Sequence, residues 1–139
     1  GVGYTISTFR SGPGVWSGSG GEVSLNPGEG GFFKNTTPTN LVLGFVGEVP
    51  QGTLTNALPA GYSMRRSMVP QAGPLDTLLG FPGAEGDVVY RWINGGWITS
   101  TYRAATGWSG SAPTLNLSEA IFISKAAATT WTRSFSTTN

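Results

Sequence analysis

The chain has 139 residues and a formal net charge of +1, so it is long enough to bury one hydrophobic core. Only 11% of its residues are charged, while 38% are apolar and 12% are aromatic, a composition that excludes a disordered charged tail. A chain this close to neutral lacks the basic stripe of a nucleic-acid binder, and we expect no nucleic-acid partner. Cysteine and histidine are absent, which excludes disulfides, zinc–thiolate sites and catalytic triads that use histidine.

No apolar run approaches the roughly 18–20 residues that a membrane-spanning helix needs, and no signal peptide is recognisable. We therefore expect no membrane insertion. The lack of cysteine, the low charge and the abundance of Thr, Ser and Gly favour an extracellular or cell-surface location.

In chain order, short segments rich in Val, Ile, Thr and aromatic residues alternate with clusters of Gly, Pro, Ser and Asn, which is typical of strands and turns. The segment at residues 73–80 has the pattern of a short helix. Asn94 and Gly95 separate two apolar runs and predict a β-hairpin. The sequence predicts an all-β fold, a sandwich or small barrel. The predicted strands are residues 4–10, 31–34, 40–46, 62–68, 88–93, 97–103, 120–124 and 130–136.

An internal duplication organises the chain. The segment "STFRSGPGVWSGS", which begins at Ser7, returns as "STYRAATGWSGS" at Ser100. Ordered matches continue over nearly forty residues, which is the signature of a repeat. We call residues 7–45 the first copy and residues 100–135 the second copy. Beyond the two opening segments, the matched pairs are Leu25 with Leu115, Asn26 with Asn116, Glu29 with Glu119, Phe32 with Phe122, Thr39 with Thr129 and Phe45 with Phe135.

The two copies differ in what precedes them. The hairpin strand at residues 88–93 comes before the second copy, and nothing corresponds to it before the first. We therefore interpret residues 1–46 as a partial first repeat and residues 47–139 as a complete second repeat, packed as one globular unit. The strand at residues 4–10 should then have a free side, because it lacks its hairpin partner. Such an open edge is a template for another chain, and its residues are Tyr4, Ile6, Thr8 and Arg10.

Three stretches carry a resemblance: "LNPGEGGFF" at residues 25–33, "FVGEVPQGTLTNALPAGYS" at residues 45–63 and "VPQAGPLDTLLGFP" at residues 69–82. In these the chain resembles β-repeat proteins secreted by environmental bacteria, in which a Leu-Asn-x-Gly-Glu-x-Phe-Phe element recurs once per repeat. The resemblance covers most of the chain. It implies no activity and no catalytic residue, and it implies a longer front end than the first copy has.

The acidic residues do not predict an active site. A glycosidase needs two carboxyl groups in different environments within one cleft, whereas Glu29 and Glu119 occupy equivalent places in two copies. The loop "GAEGD" at residues 83–87 holds too few acids for a calcium site, and a polar turn explains it better. We therefore expect no enzyme activity, no catalytic residue, no metal site and no cofactor.

The matched charges predict a structural role. Arg10 is equivalent to Arg103, and Glu29 is equivalent to Glu119. In a chain with so few charges, this repetition favours an Arg10–Glu29 bridge in the first copy and an Arg103–Glu119 bridge in the second. The alternative is a site for an acidic ligand at each arginine.

Aromatic residues crowd into one short segment before and within the second copy. Flat aromatic faces can stack on sugar rings by burying their apolar C–H surface. The alternative is that these side chains pack in the core. The candidate sugar-stacking residues are Trp92, Trp97, Tyr102 and Trp108.

Of the functions considered, the open edge favours a non-catalytic structural protein. Strand addition at an unpaired edge is a known mode of recognition and polymerisation, and head-to-tail contacts form filaments or rings. We expect a self-assembling subunit of a surface filament or coat, with other copies of itself as partners. The alternative is a carbohydrate-binding module that binds a polysaccharide through exposed Trp and Tyr side chains.

Overall fold

The structure is a computed structural model that describes residues 4–18, 21, 23–44 and 47–137. Within these ranges the chain is all-β and contains no helix, which confirms the predicted fold class. The strands in chain order are β1 (Thr8–Arg10), β2 (Val15–Ser17), β3 (Gly52–Leu58), β4 (Gly61–Arg66), β5 (Gly73–Pro74), β6 (Val88–Ile93), β7 (Gly96–Arg103), β8 (Gly107–Trp108), β9 (Thr114–Leu115), β10 (Ala120–Lys125) and β11 (Thr129–Phe135).

The largest sheet has five strands in the order β4-β10-β6-β7-β8, and the other described strands form the pairs β1–β2, β3–β11 and β5–β9. All of these pairings are antiparallel. Buried side chains from β3 and β11 meet buried side chains of the five-stranded sheet in one hydrophobic core. The arrangement is therefore sandwich-like, and the sheets do not close into a barrel.

The predicted hairpin is confirmed. Strand β6 pairs with β7 from Val88↔Thr101 to Ile93↔Gly96. Asn94 and Gly95 form the two-residue loop with φ of 51° and 79°. Two consecutive positive φ values are what a tight hairpin turn requires, and Asn-Gly tolerates them best.

Strand β3 was not predicted, although its sequence carries a clear strand signal. Leu54, Asn56 and Leu58 are buried, and the residues between them are exposed. This period of two is that of a strand with one face in the core. Strand β3 pairs along its whole length with β11, from Gly52↔Phe135 to Leu58↔Thr129.

The helix predicted at residues 73–80 is wrong. The segment begins with β5 and continues as a turn, in which the amide of Gly80 donates to the carbonyl oxygen of Asp76 at 3.1 Å. Leu75 and Leu79 are fully buried in this turn. The indole N–H of Trp131 donates to the carbonyl of Leu79 at 2.7 Å, which ties the turn to β11. Tertiary burial of the two leucines therefore overrides the helical preference of the segment.

The strands predicted at residues 31–34 and 40–46 are also wrong, as far as residue 44; Phe45 and Val46 lie outside the described residues. In the second copy the equivalent segments are β10 and β11. Strand β10 pairs with β4 on one side and β6 on the other, while β11 pairs with β3. Within the described part of the chain, no strand pairs with residues 31–34 or 40–44, although Glu29 of the first copy forms an isolated antiparallel bridge with Arg65 of β4.

The two copies share local structure where both strands of a pairing belong to the same copy. In the first copy Phe9 pairs with Trp16, and in the second Tyr102 pairs with Trp108. Both pairs of rings meet edge to face, with centroids 5.4 and 5.2 Å apart. The hairpins therefore agree in register, as the duplication predicts.

A turn that follows each hairpin is also repeated. The carboxylate of Glu29 accepts hydrogen bonds from the amide and the side chain of Asn26 at 2.9 and 3.1 Å. The carboxylate of Glu119 accepts from the same two groups of Asn116 at 2.9 and 3.0 Å. In both turns the residue before the glutamate has a positive φ, 86° at Gly28 and 61° at Ser118.

A buried ion pair joins the loop before β6 to the end of β10. Asp87 and Lys125 are both almost completely buried, and the Nζ of Lys125 contacts the Oδ2 of Asp87. The amides of Ala84 and Ala126 also donate to the Asp87 carboxylate, at 2.7 and 3.0 Å. Lys125 donates in addition to the carbonyl of Pro82 at 2.9 Å. Both charges therefore have the additional hydrogen bonds that a buried pair needs.

We predict that Lys125→Met destabilises the protein by about 3–5 kcal/mol, because it leaves the Asp87 carboxylate buried without its counter-charge. Denaturant unfolding monitored by circular dichroism measures the effect. The exposed Lys34 provides the control, and Lys34→Met should change stability by no more than about 0.5 kcal/mol. Equal losses in the two variants would contradict the structural role of the pair.

Candidate functional site

The predicted assembly edge lies along the first hairpin. Strand β1 pairs with β2 on one side, and no strand of the described chain pairs with its other side. The equivalent strand of the second copy, β7, lies between β6 and β8. The guanidinium of Arg10 donates to the hydroxyl of Ser17 at 2.7 Å, and Thr8 is exposed. Tyr4 and Ile6 precede the strand and are also exposed.

Exposed apolar side chains recur along the first copy. Five of its residues occupy positions whose equivalents in the second copy are in the core or packed against it. We call them the first-copy surface: Phe9, Trp16, Leu25, Phe33 and Leu41. Their equivalents, in the same order, are Tyr102, Trp108, Leu115, Ile123 and Trp131.

The contrast in exposure within these pairs is large. Trp16 is 42% exposed and Trp108 is 6% exposed. Leu25 is 55% exposed, whereas Leu115 is 2% exposed. One residue pattern is therefore solvent-facing in the first copy and core-forming in the second. An extended apolar surface of this kind is characteristic of an interaction site.

A second candidate surface is an aromatic cluster on the outer face of the five-stranded sheet. Cross-strand neighbours build it, since Trp92 pairs with Trp97 and Tyr90 pairs with Phe122. The Trp92 and Trp97 rings meet edge to face at 5.0 Å, and Trp97 meets Phe122 at 5.5 Å. We call Tyr62, Tyr90, Trp92, Trp97 and Phe122 the aromatic face.

Part of the first copy packs on this aromatic face. The ring of Tyr4 lies 5.6 Å from Phe122, and the ring of Phe32 lies 5.9 Å from Trp92. A shallow pocket of about 440 Å³ is lined by Tyr4, Tyr62, Tyr90, Trp97, Thr99 and Phe122. The hydroxyls of Tyr62 and Tyr90 are 3.4 Å apart, and this hydrogen bond, followed by burial, raises the pKa of Tyr90.

The four predicted sugar-stacking residues do not share one surface. Trp92 and Trp97 are half exposed on the aromatic face. Trp108 is buried in the core, and Tyr102 packs against that core. Side chains alternate between the two faces of a strand. Because Trp97 and Tyr102 are separated by an odd number of positions on β7, they lie on opposite faces of the sheet. Trp108 pairs with Tyr102 and faces the same side.

The predicted charge pairs are wrong. Glu119 is bound by both Nε and Nη2 of Arg91, at 2.7 and 2.8 Å. Arg103 instead pairs with Glu85 at 2.8 Å, on the surface. In the first copy, Arg10 and Glu29 are both described and form no ion pair with each other. The arginine that neutralises Glu119, Arg91, comes from β6 and lies outside both copies.

The environments of these carboxylates fix the direction of their pKa shifts. Burial alone would raise the pKa of Glu119, but hydrogen bonds from Arg91 and Asn116 outweigh it, and the pKa is lowered. The hydrogen bond from Arg103, followed by that from the amide of Ala104, lowers the pKa of Glu85. Both carboxylates are therefore stabilised as anions, the opposite of what a general acid requires.

The sequence patterns did not single out three important polar residues: Asp87, Arg91 and Lys125. Arg91 lies two residues from the buried Val89, on the inward side of β6, and this spacing is the signal that could have found it. Lys125 ends an alternation in which Ile121 and Ile123 are buried. A charged residue at an inward position of a strand demands a buried partner.

Among the described residues, no group of three or more His, Cys, Asp or Glu side chains could hold a metal ion. None of the described segments forms a helix long and apolar enough to cross a membrane. No protein-family model, no curated protein and no solved structure matches the chain.

The two matched tryptophans generate a direct prediction. Trp108→Ala should destabilise the protein by about 3–5 kcal/mol, because it opens a cavity in a packed core. Trp16→Ala should cost less than about 1 kcal/mol, because its side chain is 42% exposed and its loss opens no cavity in the core. Urea unfolding of the two variants provides the measurement. A similar loss in both variants would show that the two copies are equally packed.

The matched glutamates generate a prediction about acid stability. The pKa of Glu119 is lowered in the folded protein from its ordinary value of 4.5. Its stabilisation is therefore present above about pH 4.5 and is lost as the pH falls through the folded-state pKa. We expect Glu119→Gln to flatten the decline of the urea midpoint below that pH.

Glu29→Gln is the control, because Glu29 accepts hydrogen bonds from the equivalent asparagine, Asn26, and has no arginine partner among the described residues. A Glu119→Gln profile that runs parallel to the parent below pH 4.5 would contradict the prediction, since Glu119 would then add nothing to the pH dependence.

Proposed function

We propose that the protein is a non-catalytic structural subunit that assembles with chains of its own kind into a filament or coat outside the cell. The observation that carries this proposal is the first-copy surface. It exposes to solvent the same residue pattern that the second copy buries in its core. An apolar surface of this extent favours association, because water is released when it is covered.

The open side of β1 adds a directional component. A neighbouring strand can pair with the N–H and C=O groups there, and each such hydrogen bond contributes about 0.5–1.5 kcal/mol. Strand addition fixes the orientation of the neighbour, whereas apolar contact alone does not. Together the two features support an ordered contact between chains, as a filament or coat requires.

The low charge of the chain supports the same proposal. With a formal net charge of +1, copies repel one another only weakly. The resemblance to secreted β-repeat proteins favours an extracellular or cell-surface location and implies no activity. The described residues also offer no metal-ligand cluster, which is compatible with a structural role.

Analytical ultracentrifugation over a wide range of concentration, with electron microscopy of the associated material, tests the proposal. The protein should associate as concentration rises. Phe9→Ser combined with Phe33→Ser should weaken association at least about tenfold, since each buried apolar side chain contributes about 1.5–3 kcal/mol. Tyr62→Ser, on the aromatic face, is the control and should associate like the parent. A protein that stays monomeric at high concentration would contradict the proposal.

The aromatic face supports a second candidate function, the binding of a polysaccharide. Trp92 and Trp97 are adjacent and half exposed, and their rings offer the flat apolar surfaces on which sugars stack. Tyr62 and Tyr90 line a pocket together with Trp97, and their hydroxyls, which are 3.4 Å apart, supply polar groups for sugar hydroxyls.

Tryptophan fluorescence during titration with soluble oligosaccharides tests this candidate. Saturable quenching that Trp92→Ala abolishes and Trp16→Ala retains would support it. The absence of quenching with a broad panel of oligosaccharides, in a monomeric preparation, would contradict it.

A further inference from the structure

We infer that the first copy is an acceptor for one kind of segment: a β-segment with the pattern of residues 52–93, supplied by a repeat of this same type. We call residues 52–93 the front segment. The inference rests on the proposed function, because it names the partner of the same surface. It is more specific than general apolar association, since it states which strands fill the surface and in what register.

The composition of the core supports this inference. The buried hydrophobic cluster has two equal contributions, from the front segment and from the second copy. The front segment contributes Leu58, Leu75, Leu79, Phe81 and Val89, and the second copy contributes Trp108, Leu115, Ile121, Ile123 and Trp131. Every second-copy member of this cluster has a counterpart in the first copy. Four of those counterparts are apolar and belong to the first-copy surface, and the fifth is Gly31.

The contacts between the two contributions are direct. The ring of Phe81 lies 5.9 Å from Trp108 and 5.4 Å from Trp131. Strand β5 pairs with β9 at Gly73↔Leu115. The front segment therefore covers the residues whose equivalents, Trp16, Leu25 and Leu41, are exposed in the first copy.

The backbone pairing of the second copy also supports the inference. In the second copy β10 lies between β4 and β6, and β11 pairs with β3. All three partners belong to the front segment. The segments at residues 31–34 and 40–44 have strand-forming sequences without a strand conformation. A front segment would supply both the apolar cover and the missing ladders.

The charges of the matched glutamates support the inference as well. Glu119 is neutralised by Arg91, which lies on β6 of the front segment. Glu29 lies in an equivalent turn and accepts hydrogen bonds from the equivalent asparagine, Asn26. Its carboxylate forms no salt bridge with an arginine of the described chain. A front segment bound in the equivalent register brings its own Arg91 to Glu29.

A folded second copy of this chain is a poor donor. The 139 residues hold one front segment and two copies that can accept it. A front segment that moved to a neighbour's first copy would uncover its own second copy, so the number of covered copies would not increase. The donor is therefore a front segment that is not already folded on its own repeat.

The test is an extended chain in which residues 47–96 are added directly before Tyr4, in place of residues 1–3. This junction reproduces the Asn94–Gly95 hairpin, because Tyr4 aligns with Trp97. The added segment carries Asp87→Asn, because Asn35 stands in the first copy where Lys125 stands in the second. Without that change a carboxylate would be buried beside an amide rather than an ammonium group.

The control extension has the same length and also carries Leu58→Asp and Val89→Asp in the added segment. The readouts are hydrogen exchange of residues 30–44 and sedimentation velocity. We expect the extension to slow exchange of residues 30–44 by at least about a hundredfold relative to the control, because exchange of paired strands requires opening. The extension should also abolish self-association.

Exchange at residues 30–44 that is equally fast in the extension and its control would overturn the inference. If the parent chain still associates in that case, the proposed function stands without it. Slowed exchange in the extension, with a parent chain that remains monomeric, would support the inference and contradict the proposed function.

Discussion

The structure depends on one constraint: the later strands of a copy, those equivalent to β10 and β11, form only against strands of the front segment. Strand β10 is hydrogen-bonded to β4 on one side and β6 on the other, and β11 is hydrogen-bonded to β3. A β-ladder is made of remote pairings, so a segment with strand-forming residues remains irregular when its partners are absent. The same repeated sequence is therefore a folded core in one half of the chain and an exposed surface in the other.

Ionic contacts reinforce this dependence of the second copy on the front segment. Asp87 belongs to the front segment and Lys125 to the second copy, and both are buried. Arg91 and Glu119 bridge the same two parts of the chain. A buried charge is tolerated only with its partner, so these pairs select the native arrangement of the two parts. The first copy holds its glutamate in the same local turn, and that turn also docks on the front segment, because the side chain of Asn56 donates to the carbonyl of Gly28 at 2.9 Å.

Features governed by local chemistry could be predicted from the sequence, and features that need a remote partner could not. The Asn94–Gly95 hairpin follows from the backbone preferences of two residues, and it was predicted correctly. The segment at residues 31–34 also has strand-forming residues, but whether it forms a strand depends on partners elsewhere in the chain. Trp97 and Tyr102 were grouped because they are close in sequence, although alternation places them on opposite faces of β7. Arg91 was missed as the partner of Glu119, because their contact depends on the register of β6 against β10.

Hydrogen exchange of the unmodified chain tests the central claim most directly, because it compares equivalent segments of the two copies in one molecule. Residues 120–125 pair with β4, and residues 122–124 also pair with β6, so the amides of this strand should exchange only when the sheet opens. Residues 31–34 lack these partners and should exchange at rates close to those of an unstructured peptide, at a concentration where the protein is monomeric. Comparable protection of the two segments in the monomer would contradict the account, since the first copy would then form its strands without a front segment.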